Sequence, residues 1–389
     1  MAMTPPLTNE NDGPSSDAEP REPEALIPAH ALLAPPPAKV RASVARLPGH
    51  WFVLCLAEEL SQRPLARTLL GVPLVLFRDG DGRPGALIDR CPHRNVPLSI
   101  GAVVDGQLQC GYHGWRFDRS GVCRFIPSLI GEPDGKARRA LSYPAIEQDG
   151  FIWVYSTASQ HPGDVPSSLP YRFPKLGADG YVSVRHIVYA ESTMHAALEN
   201  ALDVPHTQFL HHGLFRAKTR GIEITARVRR SADRVVAEYV GEPRPAGLVA
   251  RLLSPSGGLV THFDRFILPS IAEVEYSLGK ENNFLISAAM TPISDFVTQI
   301  SSVVSFRLRL IPGWLVKLFL KPLALRIFGQ DAAVLKLQSD NIRRFAGEQF
   351  ASTEIDVLGR HIWRLLRAAE RGDKPDSSEV HEEEVRLLL

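Results

Sequence analysis

Two pairs of cysteine and histidine lie close together in the first half of the chain. Cys91 and His93 stand in the stretch C-P-H-R-N, and Cys110 and His113 stand in C-G-Y-H-G-W. Thiolates and imidazoles in this paired spacing indicate a metal site. Two cysteines with two histidines could hold zinc. They could also hold a [2Fe–2S] cluster, in which two imidazoles replace two thiolates and raise the reduction potential.

A second group of metal-binding residue types lies in the stretch E-N-A-L-D-V-P-H-T-Q-F-L-H-H. Asn200, Asp203 and His206 recur every third residue, which places them on one side of a helix. Pro205 disturbs the regular turn, so His206 and His211 can meet at one metal although they are five residues apart. Two imidazoles and a carboxylate on one face of an iron leave positions open for oxygen and substrate.

Both groups resemble the signature motifs of one family, the Rieske non-haem iron oxygenases. The segment C-P-H-R-N-V-P-L-S-I-G, with the later C-G-Y-H-G-W-R-F-D-R-S-G-V-C-R-F-I-P, is similar to the Rieske domain of that family. The resemblance implies that Cys91, His93, Cys110 and His113 bind a Rieske [2Fe–2S] cluster. The second stretch is similar to the N-x-x-D-x-x-H-x-x-x-x-H signature of the catalytic domain.

This second resemblance implies the ligands of a mononuclear Fe(II). His206 and His211 would bind the iron, and Asp203 would accept a hydrogen bond from a ligand imidazole and fix its orientation. Asn200 joins Asp203 as a predicted catalytic residue.

The third iron ligand is expected far downstream. The segment G-Q-D-A-A-V-L-K-L-Q resembles the family's E-D-x-x-V-L-x-x-Q motif, which makes Asp331 the expected ligand. Gln330 replaces the usual acid, a departure that leaves the ligand itself unchanged. Asp340 and Asp356 are the alternatives.

The family resemblance implies a terminal oxygenase. Electrons from NAD(P)H would pass through a separate ferredoxin or flavin reductase, since the chain has no G-x-G-x-x-G dinucleotide motif. The cluster would relay them to the mononuclear iron, which activates O₂ to hydroxylate or oxidatively demethylate an apolar or aromatic small molecule. The second stretch looks closest to vanillate O-demethylase-like and pheophorbide a oxygenase-like monooxygenases, so ring-hydroxylating dioxygenation is the alternative.

The resemblance also implies a homotrimer, in which the cluster of one subunit serves the iron of its neighbour through His113 and Asp203. Two functions from other classes compete with this interpretation. The chain could be a Rieske electron carrier without oxygenase activity, or the cysteines and histidines of the first group could hold structural zinc in a binding module.

Composition restricts the partners. The 389 residues contain 44 Lys plus Arg and 43 Asp plus Glu, so no excess of positive charge indicates nucleic-acid binding. Four cysteines do not suggest a disulfide scaffold, and the acidic first residues do not resemble a signal peptide; both features predict a cytoplasmic protein. Basic residues interrupt the apolar run 310–328, so it is a poor spanning helix, and peripheral membrane contact is the minor alternative.

The elements that must position these groups indicate an α+β fold. We expect a disordered tail over 1–38, an all-β Rieske domain over 47–157, a catalytic domain over 175–370 and a charged C-terminal tail over 371–389. The catalytic domain is expected to be helix-grip-like, with an antiparallel sheet and helices. Its predicted strands are 183–190, 223–229, 234–241, 259–268, 272–278 and 284–292. Its predicted helices lie near 194–203, 314–328, 331–348 and 355–370.

Overall fold

The structure, a computed structural model, describes residues 42–211, 221–242, 260–278, 282–307, 313–373 and 380–388. The predicted tail over 1–38 lies outside these residues. Three small β-sheets occupy the first part of the described chain, and one large antiparallel sheet with helices occupies the second. The predicted α+β class is therefore confirmed.

The three small sheets are built from short strands joined by tight turns. The first sheet has the order β1-β11-β10, the second β2-β3-β4-β9 and the third β5-β6-β7-β8. The strands are β1 Trp51–Leu56, β2 Leu65–Leu69, β3 Val72–Arg78, β4 Pro84–Ile88, β5 Ala102–Val104, β6 Gln107–Gln109, β7 Arg116–Phe117, β8 Cys123–Phe125, β9 Ser142–Tyr143, β10 Ala145–Gln148 and β11 Phe151–Tyr155. The two cysteine–histidine pairs follow β4 and β6, so each pair lies in a loop at a strand end.

The large sheet has eight antiparallel strands among the described residues, in the order β12-β18-β17-β16-β15-β14-β13-β19. They are β12 Val182–Ala190, β13 Glu223–Arg230, β14 Arg234–Val240, β15 Val260–Ile267, β16 Ile271–Leu278, β17 Asn282–Ser294, β18 Val297–Arg307 and β19 His381–Leu388. Alternation explains the strands: in β13, Ile224, Ala226 and Val228 are buried while Glu223 and Arg227 are exposed. A period of two places every second side chain on the core face of the sheet.

The last strand differs from the sequence expectation, because β19 lies in the segment expected to be a charged tail. Val385 and Leu387 alternate with charged residues, and both are buried. This single apolar face suffices for an edge strand, which pairs with β13 along its whole length.

Four α-helices are described: α1 Met194–Ala201, α2 Thr207–Leu210, α3 Gly313–Arg344 and α4 Gly359–Arg371. The two helices expected near 314–328 and 331–348 are one continuous helix, α3. Short 3₁₀ turns lie at Leu98–Ile100 and Lys136–Arg138. Among the described residues, no helix is long and apolar enough to cross a membrane.

The two parts of the chain share one hydrophobic core. Phe52 and Leu54 of β1 belong to the same buried cluster as Met290 of β17. The backbone N–H groups of Leu70 and Gly71 also donate to carbonyls next to the end of β17. Arg46 adds a bidentate pair with Asp295, with N–O distances of 2.7 Å. These contacts fix the small sheets relative to the large one.

Candidate metal centres

The first candidate centre is formed by the two cysteine–histidine loops. Cys91 and Cys110 are buried, and neither forms a disulfide. Each loop closes on itself, since the Cys91 N–H donates to the Val96 carbonyl and the Cys110 N–H donates to the Trp115 carbonyl, each at 2.8 Å. Backbone bonds of this kind leave the thiols available as ligands.

The histidines of both loops lie side by side. The ring centroids of His93 and His113 are 4.5 Å apart. His93 stacks on Trp115 at 4.7 Å, with an interplanar angle of 5°. Its Nδ1 atom is buried and has no hydrogen-bond partner among the described residues. A buried lone pair without a partner is costly unless a ligand uses it, so this atom fits a metal site.

Burial affects the pKa of one of these two thiols. Burial, reinforced by the neighbouring Cys110 thiol, raises the pKa of Cys91 to about 11. Cys91 is therefore protonated at neutral pH unless a metal replaces the proton. His113 and the adjacent Tyr112 are exposed, so the histidine side of this centre faces outward.

The second candidate centre joins residues that are far apart in the sequence. Asp331 Oδ1 lies 3.1 Å from His211 Nε2 and 3.6 Å from His206 Nε2. The two imidazole rings are 5.2 Å apart and nearly perpendicular, at 74°. Of the three acids considered for the third ligand, Asp331 is the one beside both histidines. Asp340 instead pairs with Lys336 at 3.1 Å.

The local backbone around Asp203 differs from the single helix expected from the three-residue spacing. Helix α1 ends at Ala201, and the much shorter α2 begins at Thr207. The turn between them contains Pro205, which lacks the N–H that a continuous helix needs. This break lets the His206 side chain turn toward His211.

Asp203 orients His206 within that turn. The carbonyl oxygen of Asp203 lies 2.5 Å from His206 Nδ1, and its carboxylate Oδ2 lies 3.3 Å from the same atom. The Oδ2 atom also accepts the His206 backbone N–H at 3.3 Å. With its proton on Nδ1, the ring presents the lone pair of Nε2 toward Asp331.

Gln330 orients His211 through a hydrogen bond that was not predicted from the sequence. His211 Nδ1 lies 3.0 Å from Gln330 Oε1, so the Nδ1–H donates to an amide oxygen. The motif comparison treated Gln330 only as a departure that leaves Asp331 unchanged. The position of Gln330 directly before Asp331 could have indicated a role near the metal. Its partner His211 could not be predicted, because the two residues are 119 positions apart in the sequence.

The three converging atoms fit a divalent cation. His206, His211 and Asp331 offer ligand atoms that all lie within 4.8 Å of one another. Asp331 Oδ1 is buried and makes no hydrogen bond among the described residues. Two imidazoles and one carboxylate are the donor set of non-haem Fe(II) oxygenases.

A cavity of about 660 Å³ opens beside His206. Its wall includes Asn200 and Asp203, together with Glu199, Asp356 and Tyr239. Burial and the nearby charges of Asp356 and Asp203 raise the pKa of Glu199 to about 7. The predicted catalytic pair therefore lines an acidic cavity next to the second centre. The neighbouring His212 lies outside the described residues.

A third cluster with metal-ligand residue types is explained by ion pairing. It contains His361, His381 and Glu383. Arg230 donates to His361 Nδ1 at 3.3 Å, which places the ring proton on Nε2, and this proton is donated to Glu383 at 2.8 Å. Arg360 binds both oxygens of the same carboxylate. The atoms that a metal would need are thus already used in fixing β19 to α4.

Comparison with known proteins matches both halves of this arrangement. Residues 50–131 match the Rieske [2Fe-2S] domain, and residues 190–372 match the vanillate O-demethylase oxygenase C-terminal domain. The chain belongs to the Rieske non-haem iron oxygenases. The cofactors of this family are a Rieske [2Fe–2S] cluster and a mononuclear iron, and the two candidate centres have the donor types for them.

Individual relatives agree with the family. The oxygenase component of dicamba O-demethylase from Stenotrophomonas maltophilia is 37% identical over 169 residues, covering 41% of this chain and 46% of that protein. Pheophorbide a oxygenase from Oryza sativa subsp. japonica is 35% identical over 175 residues, covering 42% and 32%. The chain thus spans less than half of the length of these relatives.

The fold has a solved counterpart. A crystal structure of dicamba monooxygenase bound to 3,6-dichlorosalicylic acid superimposes with a TM-score of 0.71 at 23% sequence identity, covering 85% of this chain and 99% of that one. At this identity the comparison shows a shared fold.

The second centre generates a prediction about pH. Burial alone would lower the pKa of His206, but the carboxylates of Asp203 and Asp331 outweigh it and raise this pKa to about 9. Below that pH a metal must displace a proton from the imidazole. We expect the affinity of the second centre for Co²⁺ to rise about tenfold per pH unit toward pH 9 and to level off above it.

Competition with a chelator measures this affinity, using protein that keeps its cluster but has been stripped of the mononuclear metal. Asp203→Asn is the matched variant, because removal of its charge lowers the His206 pKa and moves the levelling-off to lower pH. An affinity that does not depend on pH in the wild type would contradict the proposed role of His206.

Proposed function

We propose that the protein is the terminal oxygenase component of an electron-transfer chain. Cys91, His93, Cys110 and His113 would hold the Rieske cluster, and His206, His211 and Asp331 would hold Fe(II). The observation that carries this proposal is the convergence of both His Nε2 atoms on Asp331 Oδ1, which makes no hydrogen bond among the described residues. A pure electron carrier or a zinc module has no use for this second centre.

The side chains around the iron position have distinct roles in this proposal. Asp203 and Gln330 hold the protons of His206 and His211 on Nδ1, which keeps both Nε2 atoms available as ligands. When bound, the iron supplies the activation of O₂, with electrons that arrive through the cluster. Asn200 and Asp203 line the cavity beside the iron position, where they are the proposed catalytic residues.

The substrate proposed is an apolar or aromatic small molecule, which would be hydroxylated or oxidatively demethylated. The names of the two similar proteins, an O-demethylase and a pheophorbide a oxygenase, support monooxygenation over ring dihydroxylation. A separate ferredoxin or flavin reductase would deliver electrons from NAD(P)H. We also propose a cytoplasmic location, where the buried thiols Cys91 and Cys110 stay reduced before the cluster is assembled.

We further propose a homotrimer in which electrons cross between subunits. His113 and Tyr112 are exposed, and the exposed Arg94 adds positive charge to the same side of the Rieske centre. The cavity beside His206 is acidic, with Asp203 and Glu199 in its wall. Complementary charge supports docking of the Rieske loops of one subunit against the cavity of the next.

His206→Ala tests the oxygenase function. The variant loses an iron ligand but no cluster ligand, so we expect turnover to fall to the level of protein without mononuclear iron while the visible cluster spectrum stays unchanged. Product analysis with a reductase and a panel of aromatic, steroidal and methoxylated compounds measures turnover. A cis-diol product would favour dioxygenation.

The matched control is His161→Ala, which removes an exposed histidine away from either centre. It should keep both activity and spectrum. Loss of the cluster spectrum in His206→Ala would refute the proposed division of ligands between the two centres.

Hybrid oligomers test the transfer between subunits. A Cys91→Ala subunit lacks the cluster, and a His206→Ala subunit lacks the iron, so neither homo-oligomer should turn over. We expect co-expressed hybrids, purified through two different tags, to recover activity, because an intact cluster then faces an intact iron across an interface. A hybrid of confirmed composition that stays inactive would contradict the transfer.

A further inference from the structure

A buried group of charged and aromatic side chains lies behind the cavity wall and has no role in the proposed function. It comprises Tyr239 of β14, His262 and Asp264 of β15, Tyr276 of β16, and Glu242 just beyond β14. His262 and Asp264 are each only 1% exposed. Neighbouring strands bring them together, since Tyr239 pairs with His262 and His262 pairs with Tyr276.

His262 is bonded at both ring nitrogens to carboxylates. Its Nδ1 lies 2.7 Å from Glu242 Oε2, and its Nε2 lies 3.0 Å from Asp264 Oδ1. Carboxylate oxygens at both ring nitrogens favour the imidazolium form of this ring. Burial alone would lower the pKa of His262, but Asp264 and Glu242 outweigh it and raise this pKa to about 9.

Two tyrosine rings hold the imidazolium in place. Tyr239 stacks at 4.6 Å with an angle of 25°, and Tyr276 stacks on the other face at 3.9 Å with an angle of 18°. Aromatic faces attract a cation. The ring therefore stays in the plane that directs Nε2 at Asp264.

Tyr239 connects this group to the cavity. Asp264 acts directly on its hydroxyl, and its side chain forms part of the same cavity wall as Asp203 and His206. Burial, and next the charge of Asp264, raise the pKa of Tyr239 well above its usual value, so the hydroxyl keeps its proton. A line of neighbouring ionisable groups thus runs from Glu242 through His262 and Asp264 to Tyr239, with hydrogen bonds on both sides of His262.

A buried group of this kind contributes little to the stability of the fold. Buried ion pairs lose much of their attraction to desolvation, and well-packed apolar residues often stabilise a core as much or more. Buried charged groups beside a cavity are instead common at functional sites. Tyr239 lines the same cavity as His206, a proposed iron ligand. A group with ionisable side chains could supply a proton there.

We propose that Tyr239, Asp264 and His262 form a proton store that delivers one proton through the Tyr239 hydroxyl into the cavity beside His206 during oxygen reduction. This inference rests on the proposed oxygenase function. Hydroxylation of a C–H bond by O₂ takes up two electrons and two protons and releases one water. The electrons come from the reductase, and the store supplies one of the two protons.

Each proton that leaves one group in this transfer is replaced from the next group. Tyr239 releases its hydroxyl proton to an oxygen atom at the reaction centre, and Asp264 passes the Nε2 proton of His262 to the phenolic oxygen. His262 becomes neutral and keeps the Nδ1–H that it donates to Glu242. The store refills from water in the cavity along the same path in reverse, so His262 need not change its orientation.

Two matched substitutions separate this role from a structural one. Tyr239→Phe and Tyr276→Phe each remove one hydroxyl and keep a ring stacked on His262. Only the first breaks the path to the cavity, since the second leaves the Tyr239–Asp264–His262 line intact. Asp264→Asn serves as a second break of the line, because an amide cannot take up and release a proton.

The first readout needs no turnover. Raman difference spectra between wild type and His262→Gln isolate the imidazolium band that appears when deuterium replaces the Nε2 proton. After transfer of the metal-loaded protein into D₂O, we expect this band to grow at least about tenfold more slowly in Tyr239→Phe than in wild type or Tyr276→Phe. Equal rates in the two tyrosine variants, or no imidazolium band in wild type, would overturn the store.

The second readout is reoxidation by O₂ alone of the anaerobically reduced, iron-loaded protein. Formation of H₂O₂ from O₂ takes two protons and two electrons, of which the reduced cluster would supply one and the mononuclear Fe(II) the other. Stopped-flow spectra should show at least about tenfold slower reoxidation in Tyr239→Phe and Asp264→Asn, with a larger ratio of the rates in H₂O and D₂O. Tyr276→Phe should match wild type. If Tyr239→Phe also matches wild type, the store is refuted.

His206→Ala separates a failure of the proposed oxygenase function from a failure of the proton store. It gives the rate at which O₂ oxidises the cluster without the mononuclear iron. A wild type no faster than this variant would refute the proposed function itself, whereas the Raman exchange rates would still report on the proton path.

Discussion

The catalytic half of the molecule depends on one buried carboxylate oxygen. Asp331 Oδ1 lies between two imidazole nitrogens, and it makes no hydrogen bond among the described residues. A buried carboxylate oxygen without a hydrogen bond is costly, and a bound cation offsets that cost. The long helix α3 carries Asp331 to the turn after α1, and the hydrogen bond between Gln330 and His211 joins these two segments on the same side of the centre. The surrounding sheet, helices and hydrogen bonds can be understood as the support that keeps this oxygen facing His206 and His211.

The same constraint explains why the two imidazoles have different supports. His206 is oriented from its own turn, by the carbonyl and carboxylate of Asp203, while His211 is oriented from α3, by the neutral amide of Gln330. A carboxylate partner raises the basicity of a ligand histidine more than an amide does. The iron position therefore has one strongly and one weakly polarised imidazole. The acidic side, which includes Asp203, is also the side that lines the cavity.

Most of what could be predicted came from local patterns in the sequence, and contacts between distant residues could not be predicted. Cys91, His93, Cys110 and His113 could be predicted as ligands because the members of each pair are close in sequence, and the confirmed α+β class followed from alternating strands. The strand β18 was not predicted, and β19 was taken for part of a tail, because its only apolar signal is Val385 and Leu387 among charged residues. The continuous helix α3 was expected as two helices. The roles of Gln330 and His262 escaped prediction because each has a partner outside its own element, His211 for Gln330 and Glu242 for His262. Nothing in a single sequence indicates such a pairing.

The central claim is that one chain carries both a relay cluster and an oxygen-activating iron. Iron and acid-labile sulfide per chain, measured together with the visible spectrum of protein purified without oxygen, test it most directly. The account predicts about three irons and about two sulfides per chain, with the absorption of a Rieske cluster. About two irons with sulfide would indicate a carrier without a catalytic iron. Colourless protein that contains zinc would contradict both centres.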